Sequence, residues 1–169
     1  PSDHVDAGRQ HAHHAGRHDP DHAAALESMT DAAPRAAFEA GLGFALDPFQ
    51  RHALDALDAG SSVLVAAPTG SGKTIVAEYA AALALAHGTK AFYTTPLKAL
   101  SNQKYADFAR AHGASQVGLL TGDNAVNGQA PIVVMTTEVL RNMIYAGSAA
   151  LENLRYVVLD EVHYLQNRY

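Results

Sequence analysis

The feature that most constrains this chain is a glycine-rich loop set between two apolar segments. Residues 62–66 form a short apolar run with the length of a buried strand. Residues 73–87 then follow a helical apolar pattern that ends at Gly88. A strand that turns through glycines directly into a helix is a unit of α/β folds, and this order indicates that class.

The remaining sequence repeats the alternation of strand and helix. The apolar patterns, with their flanking glycine and proline residues, predict helices over residues 48–59, 73–87, 97–111 and 138–145. They predict strands over residues 62–66, 91–95, 117–120, 132–135 and 156–159. These strands are apolar on both faces, as parallel strands covered by helices are. We therefore predict an α/β fold with an open, doubly wound parallel sheet, whose ligands bind beyond the carboxyl ends of the strands.

The loop itself has the composition of a phosphate-binding loop. It consists of eight consecutive residues: Ala67, Pro68, Thr69, Gly70, Ser71, Gly72, Lys73 and Thr74. The glycines let backbone N–H groups turn inward around phosphate oxygens, and the following helix adds the positive end of its dipole. A lysine at this position reaches the β- and γ-phosphates, and the hydroxyl beside it binds Mg²⁺. The sequence therefore predicts nucleotide binding with Mg²⁺, and not a chance glycine-rich turn.

A second candidate element, Asp-Glu-Val-His at residues 160–163, follows the last predicted strand. A carboxylate at this edge of the sheet, here Asp160, can hold Mg²⁺ opposite Thr74. Glu161 can orient or activate the water that attacks the γ-phosphate. Alone, this turn could equally be an acidic cap of the strand, but the phosphate loop upstream favours hydrolysis.

The composition limits the partners of the chain. It has no cysteine, which excludes disulfides and thiolate metal sites. The net charge is -5, and most of it lies in residues 1–43. Residues 44–169 are nearly neutral and lack the basic face of a simple nucleic-acid-binding module. No segment predicts a membrane span or a secretory signal, so we predict a cytoplasmic protein.

The first 33 residues predict a tail that is distinct from the folded part. Six of the ten histidines lie here, among Asp, Gly and Ala residues. Large apolar residues are almost absent, so burial cannot offset the entropy of ordering this segment. A metal-binding tract is the alternative, but no ligand spacing recurs. We predict a disordered extension over residues 1–33 and a single domain over residues 34–169.

Taken in order, the motifs resemble those of the superfamily-two helicases, specifically the superkiller-type DEVH-box RNA helicases. The resemblance covers residues 44–167 and includes the phosphate loop and the Asp-Glu-Val-His motif. It also includes Thr-Thr-Pro-Leu-Lys-Ala-Leu-Ser-Asn-Gln-Lys-Tyr at residues 94–105 and Thr-Gly-Asp at residues 121–123. The resemblance implies the first RecA-like P-loop domain of a helicase, with ATP as the nucleotide.

The resemblance also implies roles for individual residues. Phe44 would pack on the adenine base and Gln50 would bond to its edge, although without the family Phe44 and Phe49 are interpreted as core residues. His163 would relay the state of the nucleotide to the strand-binding side. The residues that would contact the backbone of a single strand are Pro96, Lys98, Asn102, Gln103, Thr121, Gly122, Thr136 and Thr137. The alternatives are a solvated helix start near Lys98 and helix capping by the last two threonines.

Together these residues imply ATP hydrolysis coupled to movement along single-stranded nucleic acid, with RNA favoured over DNA. A DNA helicase or translocase and a non-catalytic nucleotide-binding switch remain as alternatives. The next motif of the family and a second RecA-like domain with an arginine finger would lie beyond Tyr169. We therefore expect the 169-residue chain to bind ATP·Mg²⁺ weakly, to hydrolyse it slowly or not at all, and to expose an aggregation-prone sheet edge.

Overall fold

A computed structural model describes residues 33–164. The helices are α1 over residues 33–41, α2 (Pro48–Asp58), α3 (Thr74–Ala86), α4 (Lys98–His112) and α5 (Thr137–Tyr145), with a 3-10 turn at Ala149–Leu151. The strands are β1 (Lys90–Thr95), β2 (Val117–Leu120), β3 (Ala125–Val126), β4 (Ile132–Thr136) and β5 (Leu154–Leu159). All four predicted helices and all predicted strands but one are confirmed to within two residues at each end. No helix in the described range is long and apolar enough to cross a membrane.

The five strands form one sheet in the order β3-β2-β4-β1-β5. All pairs are parallel except β2 with β3, a short antiparallel pair that the sequence did not predict. Thr95 lies opposite Thr136, and Thr94 lies opposite Leu159, so the carboxyl ends of these strands are level. The residues that follow β1, β4 and β5 therefore share one edge of the sheet, where ligands of such folds bind.

Helices cover the two faces of the sheet. α3 and α4 pack on one face through a core cluster that includes Ala77, Phe108 and Tyr93. α5 packs on the opposite face, where Leu140 and Phe92 belong to a second cluster. Neighbouring residues of β1 thus enter different clusters, as the alternation of side chains along a strand requires. The predicted doubly wound α/β sheet is confirmed.

One predicted strand is wrong. Residues 61–68 have no regular secondary structure, although the sequence predicted a strand over residues 62–66. The side chains still alternate, since Val63 and Val65 pack on the cluster that contains Tyr79, whereas Leu64 is 87% exposed. A strand needs a hydrogen-bonded neighbour, and the sheet formed by residues 33–164 provides none for this segment. The apolar pattern predicted the inward face correctly but could not predict the pairing.

The outer face of β5 is also less buried than predicted. Within the described residues β5 has a neighbour on one side only. Its side chains alternate between half-buried and exposed, and Val157 and Leu159 are 45% and 51% exposed. α3 packs against one face of β5, while the opposite face leaves these apolar side chains accessible. Burial on both faces, which the sequence predicted for every strand, is therefore wrong for β5.

Helix α1, which the sequence did not predict, is attached by a polar cluster. The Arg35 side chain is largely buried and pairs with Glu39, Asp55 and Asp58. The same guanidinium lies 5.5 Å from the centroid of the Tyr79 ring, whose hydroxyl donates to Asp58. The described residues start at residue 33, the first of those given for α1, and the rest of the predicted tail lies outside them.

Candidate functional site

The glycine-rich loop leads directly into helix α3. Gly70 and Gly72 both have a φ of +81°, a left-handed conformation that strains any residue with a Cβ. The Nζ atom of Lys73 donates to the carbonyls of Ala67 at 2.6 Å and Pro68 at 2.8 Å. α3 begins at the next residue, so the positive end of its dipole lies at the loop. A cation and a helix N-terminus therefore meet at the loop, as a phosphate-binding site requires.

The residue predicted to bond to adenine is tied to this loop. Gln50 is buried, its Oε1 accepts from the Asp47 N–H at 2.8 Å, and its Nε2 donates to the Gly72 carbonyl at 3.0 Å. The first bond belongs to a capping box at the start of α2. Phe44 is 55% exposed, so the alternative interpretation of Phe44 as a core residue is wrong. Adenine binding by these two residues stays a prediction.

The acidic motif forms a tight turn after β5. Asp160 remains attached to the sheet, because its N–H donates to the Thr94 carbonyl at 2.9 Å. Its Oδ2 accepts from the Tyr93 hydroxyl, and its Oδ1 accepts from the Glu161 N–H at 2.9 Å. Glu161 has a left-handed φ of +54°, and its carboxylate lies 3.3 Å from Nδ1 of the exposed His163. The motif thus combines one fixed carboxylate with a second, partly exposed one.

Lys104 of α4 connects the loop to the acidic motif. Its Nζ donates to Thr74 Oγ1 at 3.4 Å and lies 5.8 Å from the centroid of the Tyr93 ring. Tyr93 in turn donates to Asp160. Burial and this carboxylate raise the pKa of the Tyr93 hydroxyl, which therefore keeps its proton as a donor. One chain of contacts joins Thr74 to Asp160, the two residues predicted to bind Mg²⁺.

The donors at this site fit a magnesium nucleotide. Thr74 and Asp160 offer hard oxygen ligands, and Mg²⁺ completes its shell with phosphate and water oxygens. Across residues 33–164 no group of three or more His, Cys, Asp or Glu side chains could hold an ion by itself. Ser71 Oγ is buried in the loop with no hydrogen-bond partner in the described part of the chain, so a ligand oxygen would satisfy it. These features suit an ion that is shared with bound phosphates.

The residues predicted to contact a nucleic-acid strand lie at or beyond the carboxyl ends of β1, β2 and β4. These residues are Pro96, Lys98, Asn102, Gln103, Thr121, Gly122, Thr136 and Thr137. Lys98 forms an ion pair with Asp123, which also accepts from the Thr121 hydroxyl at 3.2 Å. These two hydrogen bonds lower the pKa of Asp123. The structure thus joins the predicted contacts that follow β1 to those that follow β2.

Thr136 and Thr137 lie where β4 ends and α5 begins, and they fulfil only part of the capping role that the sequence allowed. Thr136 occupies the N-cap position of α5, but its side chain makes no capping hydrogen bond. Thr137 is the first residue of the helix. The capping alternative is therefore confirmed for the position of Thr136 but not for a hydrogen bond from its side chain, and the strand contact of both residues stays a prediction.

Fold and site together define a nucleotide-binding domain of the RecA-like P-loop class. The sequence profile of the DEAD/DEAH box helicases matches residues 47–169, and the chain belongs to this family. The predicted resemblance is confirmed.

Individual relatives agree with this assignment. The probable helicase HelY of Mycobacterium tuberculosis is 62% identical over 140 residues, which cover 83% of this chain and 16% of that protein. The chloroplastic DExH-box ATP-dependent RNA helicase DExH15 of Arabidopsis thaliana is 54% identical over 130 residues, 73% of this chain and 11% of that protein. The chain therefore spans a small part of the length of these relatives.

A solved structure supports the fold. The crystal structure of a hypothetical ATP-dependent RNA helicase from Sulfolobus tokodaii matches with a TM-score of 0.55. The match covers 82% of this chain and 42% of that chain, at 23% sequence identity. At this identity the likeness concerns the architecture alone.

Proposed function

We propose that this chain is the ATP-binding part of an ATP-dependent helicase that acts on RNA. The observation that carries the proposal is the contact chain from Thr74 through Lys104 and Tyr93 to Asp160. It connects the phosphate-binding loop to Asp160, the carboxylate assigned to Mg²⁺. The chloroplastic relative is by name an RNA helicase, which favours RNA over DNA as the substrate.

In the proposed mechanism the loop binds the phosphates of ATP. Lys73 exchanges the carbonyls of Ala67 and Pro68 for β- and γ-phosphate oxygens, and loop N–H groups donate to the same phosphates. Gln50, in the first turn of α2, bonds to this loop, and Phe44 precedes α2 in the chain. Both residues are assigned to the adenine base. Thr74 and Asp160 would hold Mg²⁺, which neutralises charge on the phosphates when it is bound.

Glu161 is assigned to the hydrolytic water. The left-handed backbone at Glu161 turns the chain immediately after Asp160, so the two carboxylates can serve different tasks. Two hydrogen bonds fix the carboxylate of Asp160. The carboxylate of Glu161 contacts the exposed side chain of His163. A carboxylate beside the phosphates can orient the attacking water and take up its proton. His163, which lies 3.3 Å from the Glu161 carboxylate, is assigned to the relay of the nucleotide state to the strand-binding side.

The strand-binding residues would act through a few placed contacts. Residues 44–169 are nearly neutral, so affinity cannot come from a broad basic surface. The N-terminus of α4 after Pro96, together with Lys98, suits one phosphate of the strand. Thr121, Gly122 and the two threonines at the junction of β4 and α5 are assigned to further contacts with the same strand.

Nucleotide binding is tested first. Lys73→Ala should weaken binding of a fluorescent ATP analogue to the 169-residue chain by at least about tenfold, because charge-assisted hydrogen bonds are lost. Lys90→Ala is the matched control, since Lys90 also donates to a backbone carbonyl, that of Ala150 at 3.2 Å. Its affinity should equal that of the wild type. Undiminished binding by Lys73→Ala would overturn the assignment of the loop.

Hydrolysis and substrate are tested in the longer protein to which such a domain belongs. Glu161→Gln should retain ATP binding and lose strand-stimulated turnover by about a hundredfold or more. Unchanged turnover would instead favour the non-catalytic switch. Stimulation by matched single strands separates the remaining alternatives: a greater response to RNA supports the proposal, and a greater response to DNA supports a DNA helicase or translocase.

A further inference from the structure

We propose that Tyr93 is a positioning residue that fixes Asp160 for a nucleotide-bound Mg²⁺. The inference rests on the proposed function, because it assigns the metal to Asp160. Both carboxylate oxygens of Asp160 already accept a hydrogen bond, one from Tyr93 and the other from the Glu161 N–H. Each oxygen has a second lone pair, so the carboxylate is held at two points and can still face a metal. Of these two hydrogen-bond donors, Tyr93 donates from its side chain and Glu161 from its backbone.

The ring of Tyr93 is itself held rigidly. It is 3% exposed and belongs to the core cluster between the sheet and helices α3 and α4. Its centroid lies 5.3 Å from that of Phe108, at an interplanar angle of 60°. A buried hydroxyl is unfavourable unless it is bonded, and Asp160 provides that bond. Packing therefore fixes the ring, and the ring fixes the direction from which the hydroxyl donates.

Lys104 extends the same arrangement to the second metal-binding candidate. Its ammonium lies over the face of Tyr93 and also donates to the Thr74 hydroxyl. Thr74 keeps a further lone pair for a metal. Tyr93 and Lys104 thus determine the position of Asp160 relative to Thr74, although neither Tyr93 nor Lys104 is assigned as a ligand of the ion.

The test measures what Mg²⁺ contributes to nucleotide binding. The affinity of the 169-residue chain for a fluorescent ATP analogue is determined with excess Mg²⁺ and again with EDTA. Tyr93→Phe should reduce the gain in affinity from Mg²⁺ by about tenfold, the effect typical of residues that orient metal ligands. The affinity in EDTA should not change, because the loop that binds the phosphates is untouched.

A matched control separates positioning from stability. Tyr79 also donates its hydroxyl to a carboxylate, that of Asp58, within a different core cluster. Tyr79→Phe removes the same kind of bond and should leave the Mg²⁺ contribution at the wild-type value. In an Asp160→Asn background, Tyr93→Phe should have no further effect, because Tyr93 acts through that carboxylate.

The outcomes are distinguishable. A wild-type Mg²⁺ contribution in Tyr93→Phe overturns the role of Tyr93 and leaves the proposed function intact. If the wild-type chain binds the analogue equally well with Mg²⁺ and EDTA, the metal assignment of the proposed function fails, and the role of Tyr93 fails with it. If Tyr93→Phe does not fold, replacement of Tyr93 by 3-fluorotyrosine keeps the hydroxyl and makes it a stronger donor, with only a small increase in the size of the ring. The Mg²⁺ contribution should then shift, and an unchanged value overturns the proposal.

Discussion

Replacing Gly72 by alanine should destabilise the chain more than replacing Gly70, although the two glycines have the same φ. An alanine at either position adopts a left-handed backbone, which costs about 1–2 kcal/mol. A Cβ at Gly70 would meet nothing within 4 Å, whereas a Cβ at Gly72 would lie 2.6 Å from Nε2 of Gln50. The difference between the two variants therefore isolates a single contact.

The additional loss of stability in Gly72→Ala can be estimated from the hydrogen bonds that Gln50 would lose. Its Nε2 donates to the Gly72 carbonyl at 3.0 Å, and its Oε1 accepts from the Asp47 N–H at 2.8 Å. Gln50 is 3% exposed, so a displaced amide loses these partners without gaining water. A buried polar group left unsatisfied costs about 1–3 kcal/mol. We expect Gly72→Ala to lower the free energy of unfolding by about 2–5 kcal/mol, and Gly70→Ala by about 1–2 kcal/mol.

Urea denaturation followed by circular dichroism measures both losses, as shifts in midpoint at an unchanged slope. The Gln50→Ala background is the decisive control, because it removes the atom that the new Cβ would meet. In that background Gly72→Ala should cost no more than Gly70→Ala. Equal losses for the two glycine variants in the wild-type background would refute the reasoning. A Gly72→Ala loss that Gln50→Ala leaves unchanged would refute it as well.

Three further predictions concern charged and titratable groups. Asp123→Asn should raise the affinity for single-stranded RNA at low salt, measured by fluorescence anisotropy, because it releases Lys98 for a phosphate. Arg35→Ala should lower the free energy of unfolding by about 1–3 kcal/mol in urea denaturation, because the carboxylates around it lose their partner. Burial lowers the pKa of His112, so the unfolded chain binds a proton first as the pH falls through about 6.5, and stability declines there. His112→Gln should reduce that decline, as thermal melting between about pH 7 and pH 5 would measure.

Each of these predictions has a defined failure. Glu152→Gln removes an exposed charge that precedes the amino end of β5, whereas Lys98 follows the carboxyl end of the parallel strand β1. An equal gain in RNA affinity from Glu152→Gln and Asp123→Asn would attribute the effect to net charge. Arg141→Ala breaks an exposed pair with Glu138 at 3.6 Å and should change stability by less than about 0.5 kcal/mol. A comparable loss for Arg35→Ala and Arg141→Ala, or an unaltered acid decline in His112→Gln, would contradict the corresponding prediction.

The helices and paired strands could be predicted because their signals are local. Pro48 at the first position of α2 and Gly88 after α3 mark the ends that the structure shows. The segment at residues 62–66 failed because pairing depends on a neighbour distant in sequence. Helix α1 was missed because ionic contacts of Arg35 attach it, and these depend on the position of α2. β3 has only two residues, too few for an apolar pattern to indicate a strand.

In the candidate site, too, the local motifs could be predicted from the sequence, whereas the contacts between distant residues could not. The phosphate loop and the acidic motif have fixed local spacing, so the sequence contains them completely. Tyr93 was missed because it lies within an apolar strand, where a tyrosine predicts core packing. Its contact with Asp160 depends on the register of β1 against β5, which the sequence alone does not give. Lys104 could have been suspected, since it lies in the stretch that resembles the family, but its contact with Thr74 requires the packing of α4 beside α3.

Two carbonyls of the loop compete with the phosphates of ATP for the ammonium group of Lys73. While the ammonium bonds to the carbonyls of Ala67 and Pro68, it is unavailable to a phosphate. Only the population with the lysine released binds nucleotide at full strength. Each tenfold preference for the inward lysine therefore weakens the apparent affinity for ATP by about tenfold. The affinity for ATP therefore depends on how strongly these two loop carbonyls hold the lysine, and not only on the contacts that the loop makes with the phosphates.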